Sequence, residues 1–255
     1  MAWAGFSLSP ITPSSPPPPL RGRKKGGGLI WERVKGEGVK GKFMNKRKRR
    51  GFFITLEGPD GSGKSTQSLL LARYLKRQGR KVVRTREPGG TSIAEALRRI
   101  ILNPKNRISK VTEVLLYEAG RAQHTSELIL PALGEGKTVV CERYTDATLA
   151  YQGYGRKLDI RMVKELNRIA SSGLKPDLTL LLDLDVREGL KRVRKISGGR
   201  MDRMERESIR FHERVRKGYL EIASRESGRV KLIRVKETPE KTHLEVVKIV
   251  EKLVK

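Results

Sequence analysis

Residues 51–75, GFFITLEGPDGSGKSTQSLLLARYL, decide the fold. Phe52 to Leu56 is a short apolar, β-prone run. GPDGSGKST, residues 58–66, fits G-x-x-x-x-G-K-S/T through Gly58, Gly63, Lys64 and Ser65. Leu69, Leu70, Ala72 and Leu75 then predict a helix that ends at Gly79. Glycines let successive backbone N–H groups turn inward on phosphate oxygens. The following helix points its positive N-terminal end at the same anion. Lys64 should therefore reach the terminal phosphates of a nucleotide, and the hydroxyl of Ser65 should ligate Mg²⁺.

Outward from this unit the chain alternates. Strand-like runs lie at Lys81 to Thr85, Lys137 to Glu142, Leu178 to Leu184 and Val230 to Val235. Helical patterns lie at Ser92 to Leu102, Thr112 to Leu133, Asp159 to Ser171, Val186 to Ile196, Glu205 to Arg225 and Glu240 to Val254. Alternation of this kind predicts crossover units and a five-stranded, parallel α/β sheet flanked by helices. The ligand then belongs at the carboxyl ends of the strands.

The chain has 255 residues, 56 of them Lys or Arg against 28 Asp or Glu, a formal charge of +28. That excess asks for an acidic partner such as a nucleotide, a nucleic acid or an anionic surface. Residues 1–50 carry 13 basic and 2 acidic residues, and the rest mixes both signs along its helices, as in Glu205-Arg206-Glu207. Mixing of that kind marks a solvated, salt-bridged surface and argues against a nucleic-acid stripe. One cysteine, Cys141, excludes a disulfide scaffold and fits a reducing, cytoplasmic setting. No apolar run approaches the roughly 20 residues needed to span a bilayer.

Residues 1–50 are Pro-, Gly- and Lys/Arg-rich without apolar periodicity, so they are expected to be a disordered extension to a domain at 51–255. KGEGVKGK, residues 35–42, lies just before Met44 and resembles a translated ribosome-binding site. Met44 is therefore expected to be the native start.

Four further segments carry chemistry. REPGGT, residues 86–91, sets Arg86 and a Pro-Gly turn at a strand end. Tyr117 and Arg121, four apart on one helix face, can stack a base and hydrogen-bond its edge. The strand before Glu142 and Arg143 delivers a carboxylate that can hold Mg²⁺ through water and a guanidinium that can bind phosphate. RVRKISGGRMDR, residues 192–203, has glycines among arginines, as suits a short basic lid closing over phosphates. Alone, each of these segments also reads as a turn, a core tyrosine, a strand-end ion pair or a solvated loop.

Together, GPDGSGKST, TREPGGT, DATLAYQGYGR, PDLTLLLDLD, DRMERE and FHERVRKGYL resemble the thymidylate kinase family in family order, from about Phe52 to the C-terminus. The resemblance implies a P-loop kinase fold and transfer of the γ-phosphoryl of ATP to dTMP, with Mg²⁺. By matched positions, Gly58, Pro59, Asp60, Gly61, Ser62, Gly63, Lys64, Ser65 and Thr66 would hold the ATP phosphates. Asp60 would face the dTMP sugar, Tyr117 would stack on thymine and Arg121 would hydrogen-bond it. Arg86 and Arg143 would hold the monophosphate, Tyr151 would wall the sugar against ribonucleotides, and Gln152 would line the acceptor site. Where one family type carries a catalytic arginine in the loop, this chain has Gly61, so it looks like the bacterial lid type, with Arg192, Arg194 and Arg200 as candidates. The resemblance also implies a homodimer formed by helix packing.

The chain departs from the family at Glu142, where Asp is usual, and at Ala147, where Ser is frequent. The extra methylene of Glu142 can shift a water-mediated metal contact by about an ångström, and such a misplacement can cost roughly a hundredfold in rate. Three rivals stand beside the kinase reading. They are a kinase for another nucleoside monophosphate, a P-loop ATPase using the basic extension on nucleic acid, and a nucleotide-binding protein silenced by Glu142.

Overall fold

The computed structural model describes residues 51–254, so the expectations for residues 1–50 and for Met44 lie outside the described residues. Five strands, β1 (Phe53–Glu57), β2 (Val82–Arg86), β3 (Thr138–Glu142), β4 (Leu178–Asp183) and β5 (Val230–Arg234), form one sheet. Their order is β2-β3-β1-β4-β5, and every pairing is parallel. The central strands read as continuous apolar runs because both faces are covered, and β1 is buried at all five positions. The edge strands β2 (VVRTR) and β5 (VKLIR) carry charged residues within their length, whereas the inner strands carry theirs only at the carboxyl end, as Glu57, Glu142 and Asp183.

The helices are α1 (Lys64–Arg77), α2 (Ser92–Leu102), α3 (Lys110–His124), α4 (Leu130–Gly134), α5 (Thr145–Thr148), α6 (Ile160–Ala170), α7 (Val186–Ile196), α8 (Ile209–Arg225) and α9 (Pro239–Val254). Successive side chains of a strand point to opposite faces. Ile54 and Leu56 of β1 accordingly pack with Leu71 and Leu75 of α1 and Val246 and Val250 of α9. Phe53 packs instead with Ile129, Leu133 and Tyr144. A third cluster joins Tyr151, Val163, Phe211, Val215 and Tyr219.

Two expected helices are corrected. The span Thr112 to Leu133 is α3, a π-helical turn at Thr125–Ile129, and α4. Pro131 enters α4 at its first turn and has no N–H to continue the ladder; just before it, Leu130 N–H donates to Thr125 five residues back. The span expected to start at Glu205 starts at Ile209, because Asp202 Oδ1 accepts from Met204 N at 2.8 Å and Glu205 N at 2.9 Å and closes a separate turn. Ser208 then caps α8 through Phe211 N. A second π-helical turn, Leu149–Gly155, follows α5 and had no counterpart in the periodicity.

Candidate active site

Strand β1 lies between β3 and β4, with Leu56 beside Glu142 and Glu57 beside Leu181. The chain leaves β1 at Gly58 into the loop, at the point where the strand order diverges. Gly58, Gly61 and Gly63 all have positive φ. At Gly61 the loop also passes so close to α7 that a Cβ would lie 2.1 Å from the Gly189 carbonyl oxygen. Gly61→Arg is therefore expected to force α7 away and destabilise the fold, with about 1–2 kcal/mol from the backbone conformation alone. Thermal unfolding checks it, and an undiminished Tm would refute the close-packed account.

Lys64 is curled over the loop. Its Nζ donates to Gly58 O at 3.0 Å and Pro59 O at 2.8 Å, with Ser62 Oγ at 3.5 Å. Burial, then the nearby Arg143, pushes its pKa down to about 7.

Ser65 opens the same helix. Its Oγ donates to Glu142 Oε2 at 2.6 Å, while Ser68 Oγ donates to Glu142 Oε1, also at 2.6 Å. Arg84 NH1 lies 3.3 Å from Glu142 Oε1. A hydroxyl and a carboxylate at a helix N-terminus are hard oxygen donors, the set that suits Mg²⁺ shared with phosphates and water. These residues fit that ion.

Arg143 sits at the end of β3 with φ 65, a conformation unusual for a side-chain-bearing residue. Its guanidinium turns back under the loop. NH2 pairs with Asp60 Oδ1 and bonds Tyr151 Oη at 3.1 Å; NH1 donates to Gly58 O at 3.3 Å and Tyr219 Oη at 3.1 Å. The Tyr151 hydroxyl donates to Asp60 Oδ2 at 2.8 Å, and the cation lies 4.8 Å from the Tyr151 ring centre. Burial alone would raise the Asp60 pKa, but Arg143 and Lys64 outweigh it and hold the carboxyl below its ordinary value. Beneath, Glu57 accepts from Tyr144 N at 2.7 Å and Tyr219 Oη at 2.8 Å, and burial with Asp146 pushes its pKa up to about 7.

Tyr117 faces the cleft half-buried, its hydroxyl pushed up by burial and Glu113. Arg121 is almost fully buried, and its five N–H donors have five protein acceptors. Nε bonds Glu87, NH1 bonds Glu118 and Asn167, and NH2 bonds the Tyr144 carbonyl and Thr148 Oγ1. A base would have to displace one of these, and the two neutral contacts of NH2, to the Tyr144 carbonyl at 3.0 Å and Thr148 Oγ1 at 2.9 Å, are easier to give up than the charge-assisted ones to Glu87 and Glu118. Arg86, half-exposed, donates to Glu95 at 2.9 Å. Gln152 is buried and donates to Glu113 Oε1 at 2.9 Å, beside Arg156 and Arg203 on the same carboxylate.

These groups line one cleft of about 810 Å³. Asp60 through Thr66, Arg86, Tyr117, Arg121, Glu142, Arg143, Tyr151 and Gln152 all border it. Gly58 and Pro59 lie behind, as acceptors for Lys64. Of the three lid candidates Arg192 borders the cleft, with Nε on Glu188 at 3.0 Å; Arg194 and Arg200 are exposed and do not. The sequence reading missed Arg98, whose NH1 donates to Pro88 O, and the far wall from Val235 to Thr242. Spacing of Arg98 one turn past Ala94 on α2 was a usable signal; the β5–α9 connection carried none.

A parallel sheet with a phosphate loop at its switch point, and a cleft that runs past the loop and is lined by Arg86, Arg98, Arg121, Arg143 and Arg192, defines a P-loop nucleoside monophosphate kinase. The chain belongs to the thymidylate kinase family, whose sequence model matches residues 56–246. It is 49% identical over 205 residues to the thymidylate kinase of Pelotomaculum thermopropionicum, covering 80% of this chain and 94% of that one. It is 51% identical over 187 residues to that of Syntrophotalea carbinolica, covering 71% and 87%. The crystal structure of thymidylate kinase from Ehrlichia chaffeensis superposes with a TM-score of 0.65 at 35% identity, over 79% of this chain and 98% of that one. Among the described residues no helix is long and apolar enough to cross a membrane.

Proposed function

We propose that this chain transfers the γ-phosphoryl group of ATP to dTMP, giving ADP and dTDP for dTTP synthesis. The observation that carries this reading is the cleft across the carboxyl ends of the strands. Its phosphate loop lies between Arg86 and Tyr117 on the β2 side and Val235 to Thr242 on the β5 side, so two nucleotides can meet phosphate to phosphate. dTMP occupies the β2 side, with thymine on Tyr117 and Arg121, its sugar against Asp60 and Tyr151, and its phosphate on Arg86 and Arg143. Gln152 lines that pocket. ATP lies along Gly58 to Thr66 with its base towards β5.

Two polyanions must be held in line and their repulsion cancelled, which is a task of positioning and charge. Lys64 leaves its loop carbonyls for the terminal phosphates, and Arg143 neutralises the acceptor. Mg²⁺, held by Ser65 and through water by Glu142, would neutralise charge on the transferring phosphates. A lid arginine completes the ring. The crowding at Gly61 supports the lid over the loop as its source, and Arg192, already at the cleft, is favoured over Arg194 and Arg200. Domain 51–255 carries this activity.

The kinase is a homodimer. Ile93 and Ile100 lie one face apart by seven on α2, Val111 and Leu115 by four on α3, and Ile169 ends the adjoining α6. All five are exposed at 46–61%. Leu115→Glu is expected to yield monomers in sedimentation at micromolar concentration; a persisting dimer would place the interface elsewhere.

The activity is tested by ADP release from Mg-ATP with dTMP, dUMP, dCMP and dGMP as acceptors. Turnover with dTMP well above the others is expected. Equal turnover with another monophosphate would reassign the acceptor, and hydrolysis stimulated by DNA or RNA would return the ATPase reading.

A further inference from the structure

Glu142 is held at both oxygens. Ser65 and Ser68 are three apart on α1, so their hydroxyls share one helix face, and the carboxylate bridges them at 2.6 Å each. Ser68 is fully buried and has one proton to give. Two acceptors compete for it: Glu142 Oε1 at 2.6 Å and the Ser65 carbonyl at 3.0 Å. The shorter contact is to the charged group, and charge-assisted bonds are the stronger. Arg84 NH1 donates to Ser68 Oγ at 3.1 Å, which occupies a lone pair and leaves the hydroxyl proton free to point at Glu142. Neither Ser68 nor Arg84 borders the main cleft.

We propose that Ser68, oriented by Arg84, is a positioning residue that fixes the rotation of Glu142 and thereby makes a glutamate serviceable beside Ser65. A carboxylate one methylene longer than aspartate has an extra torsion to lose. The bridge across one helix turn removes it before any ligand arrives. An aspartate, shorter by about 1.5 Å, would reach one serine and not both. The inference rests on the reading that Glu142 and Ser65 serve the divalent cation.

The test uses the full chain with ADP bound and follows Mn²⁺ binding by electron paramagnetic resonance, alongside the Mg²⁺ dependence of turnover. Ser68→Ala keeps a strong helix former, so the fold stands. It should weaken Mn²⁺ binding roughly tenfold, the usual scale for an outer-shell partner, and raise the half-saturating Mg²⁺ with no change in KM for dTMP. Ser68→Cys, similar in volume but a weak donor, should follow alanine. In a Glu142→Asp background Ser68→Ala should be silent. Wild-type Mn²⁺ affinity in Ser68→Ala, wild-type behaviour of Ser68→Cys, or an equal loss in both backgrounds would overturn the positioning role while Glu142→Gln still weakened Mn²⁺. Unchanged Mn²⁺ affinity in Glu142→Gln would overturn the cation reading itself, and the inference with it.

Discussion

Arg143→Ala is expected to lower kcat/KM for dTMP by roughly 10³-fold or more, because an arginine on a transferring or accepting phosphoryl group is worth that order of rate. It should also destabilise the protein, and the two losses have separate causes. Asp60, only 16% exposed at its side chain, loses its ion pair and keeps the Tyr151 hydroxyl, the nearby Lys64 and a distant His212. Leaving one partner of a buried pair uncompensated costs about 3–5 kcal/mol, an upper bound here because Lys64 still offsets part of the charge. Arg143 also holds a left-handed backbone with φ 65, and alanine inherits that conformation with none of the bonds that fix it. Glycine tolerates the conformation, so Arg143→Gly should be more stable than Arg143→Ala by about 1 kcal/mol although it removes more atoms. Adding Asp60→Asn to Arg143→Ala removes the orphaned charge, so stability should return in part while turnover stays lost. Chemical denaturation and steady-state kinetics on the four proteins distinguish these effects. Recovery of turnover together with stability would mean that Arg143 acts on the fold alone.

That pattern also marks where reading the sequence ran out. The loop, its strand and its helix were legible because each step is local: a β-prone run, glycines at fixed offsets, then a 3.6-residue repeat. The parallel sheet followed from alternation, whereas its strand order, β2-β3-β1-β4-β5, did not. Arg143 was legible as a strand-end cation, but its turn beneath the loop onto Asp60 was not, because that contact joins residues 83 apart in sequence. Arg121 was legible as one turn from Tyr117. Its saturation depends on Glu87, Glu118, Asn167 and Thr148, and three of those four lie on other elements. Glu142 stood out as a departure of one methylene; the two serines that absorb it are visible only once β3 lies against α1. The π-helical turns escaped for a different reason: each is defined by a backbone bond to a carbonyl five residues back, which no side-chain pattern announces.

Lys64→Met is expected to cut kcat by roughly 10²–10³-fold, the scale for removing one preorganised donor from developing charge, with the fold intact. Its pH behaviour gives the sharper test. With a pKa pushed from 10.5 to about 7, most Lys64 side chains are neutral at pH 8. The folded protein then holds fewer protons than the unfolded chain between those two values. The desolvation penalty on stability is therefore full below pH 7 and relieved as pH rises towards 10.5. A triphosphate reverses the balance, because its charges stabilise the ammonium and exceed what the Gly58 and Pro59 carbonyls offer. Binding of Mg-ATP at pH 8 should accordingly take up close to one proton, read as a dependence of the binding heat on buffer ionisation enthalpy. The uptake should vanish in Lys64→Met, which separates it from any proton taken by Glu57. Apparent ATP affinity should also fall as pH rises from 7 to 9 in the wild type and stay flat in the variant. Binding heats independent of buffer in the wild type would mean that Lys64 is already charged on its loop, and that its burial does not set the protonation of the site.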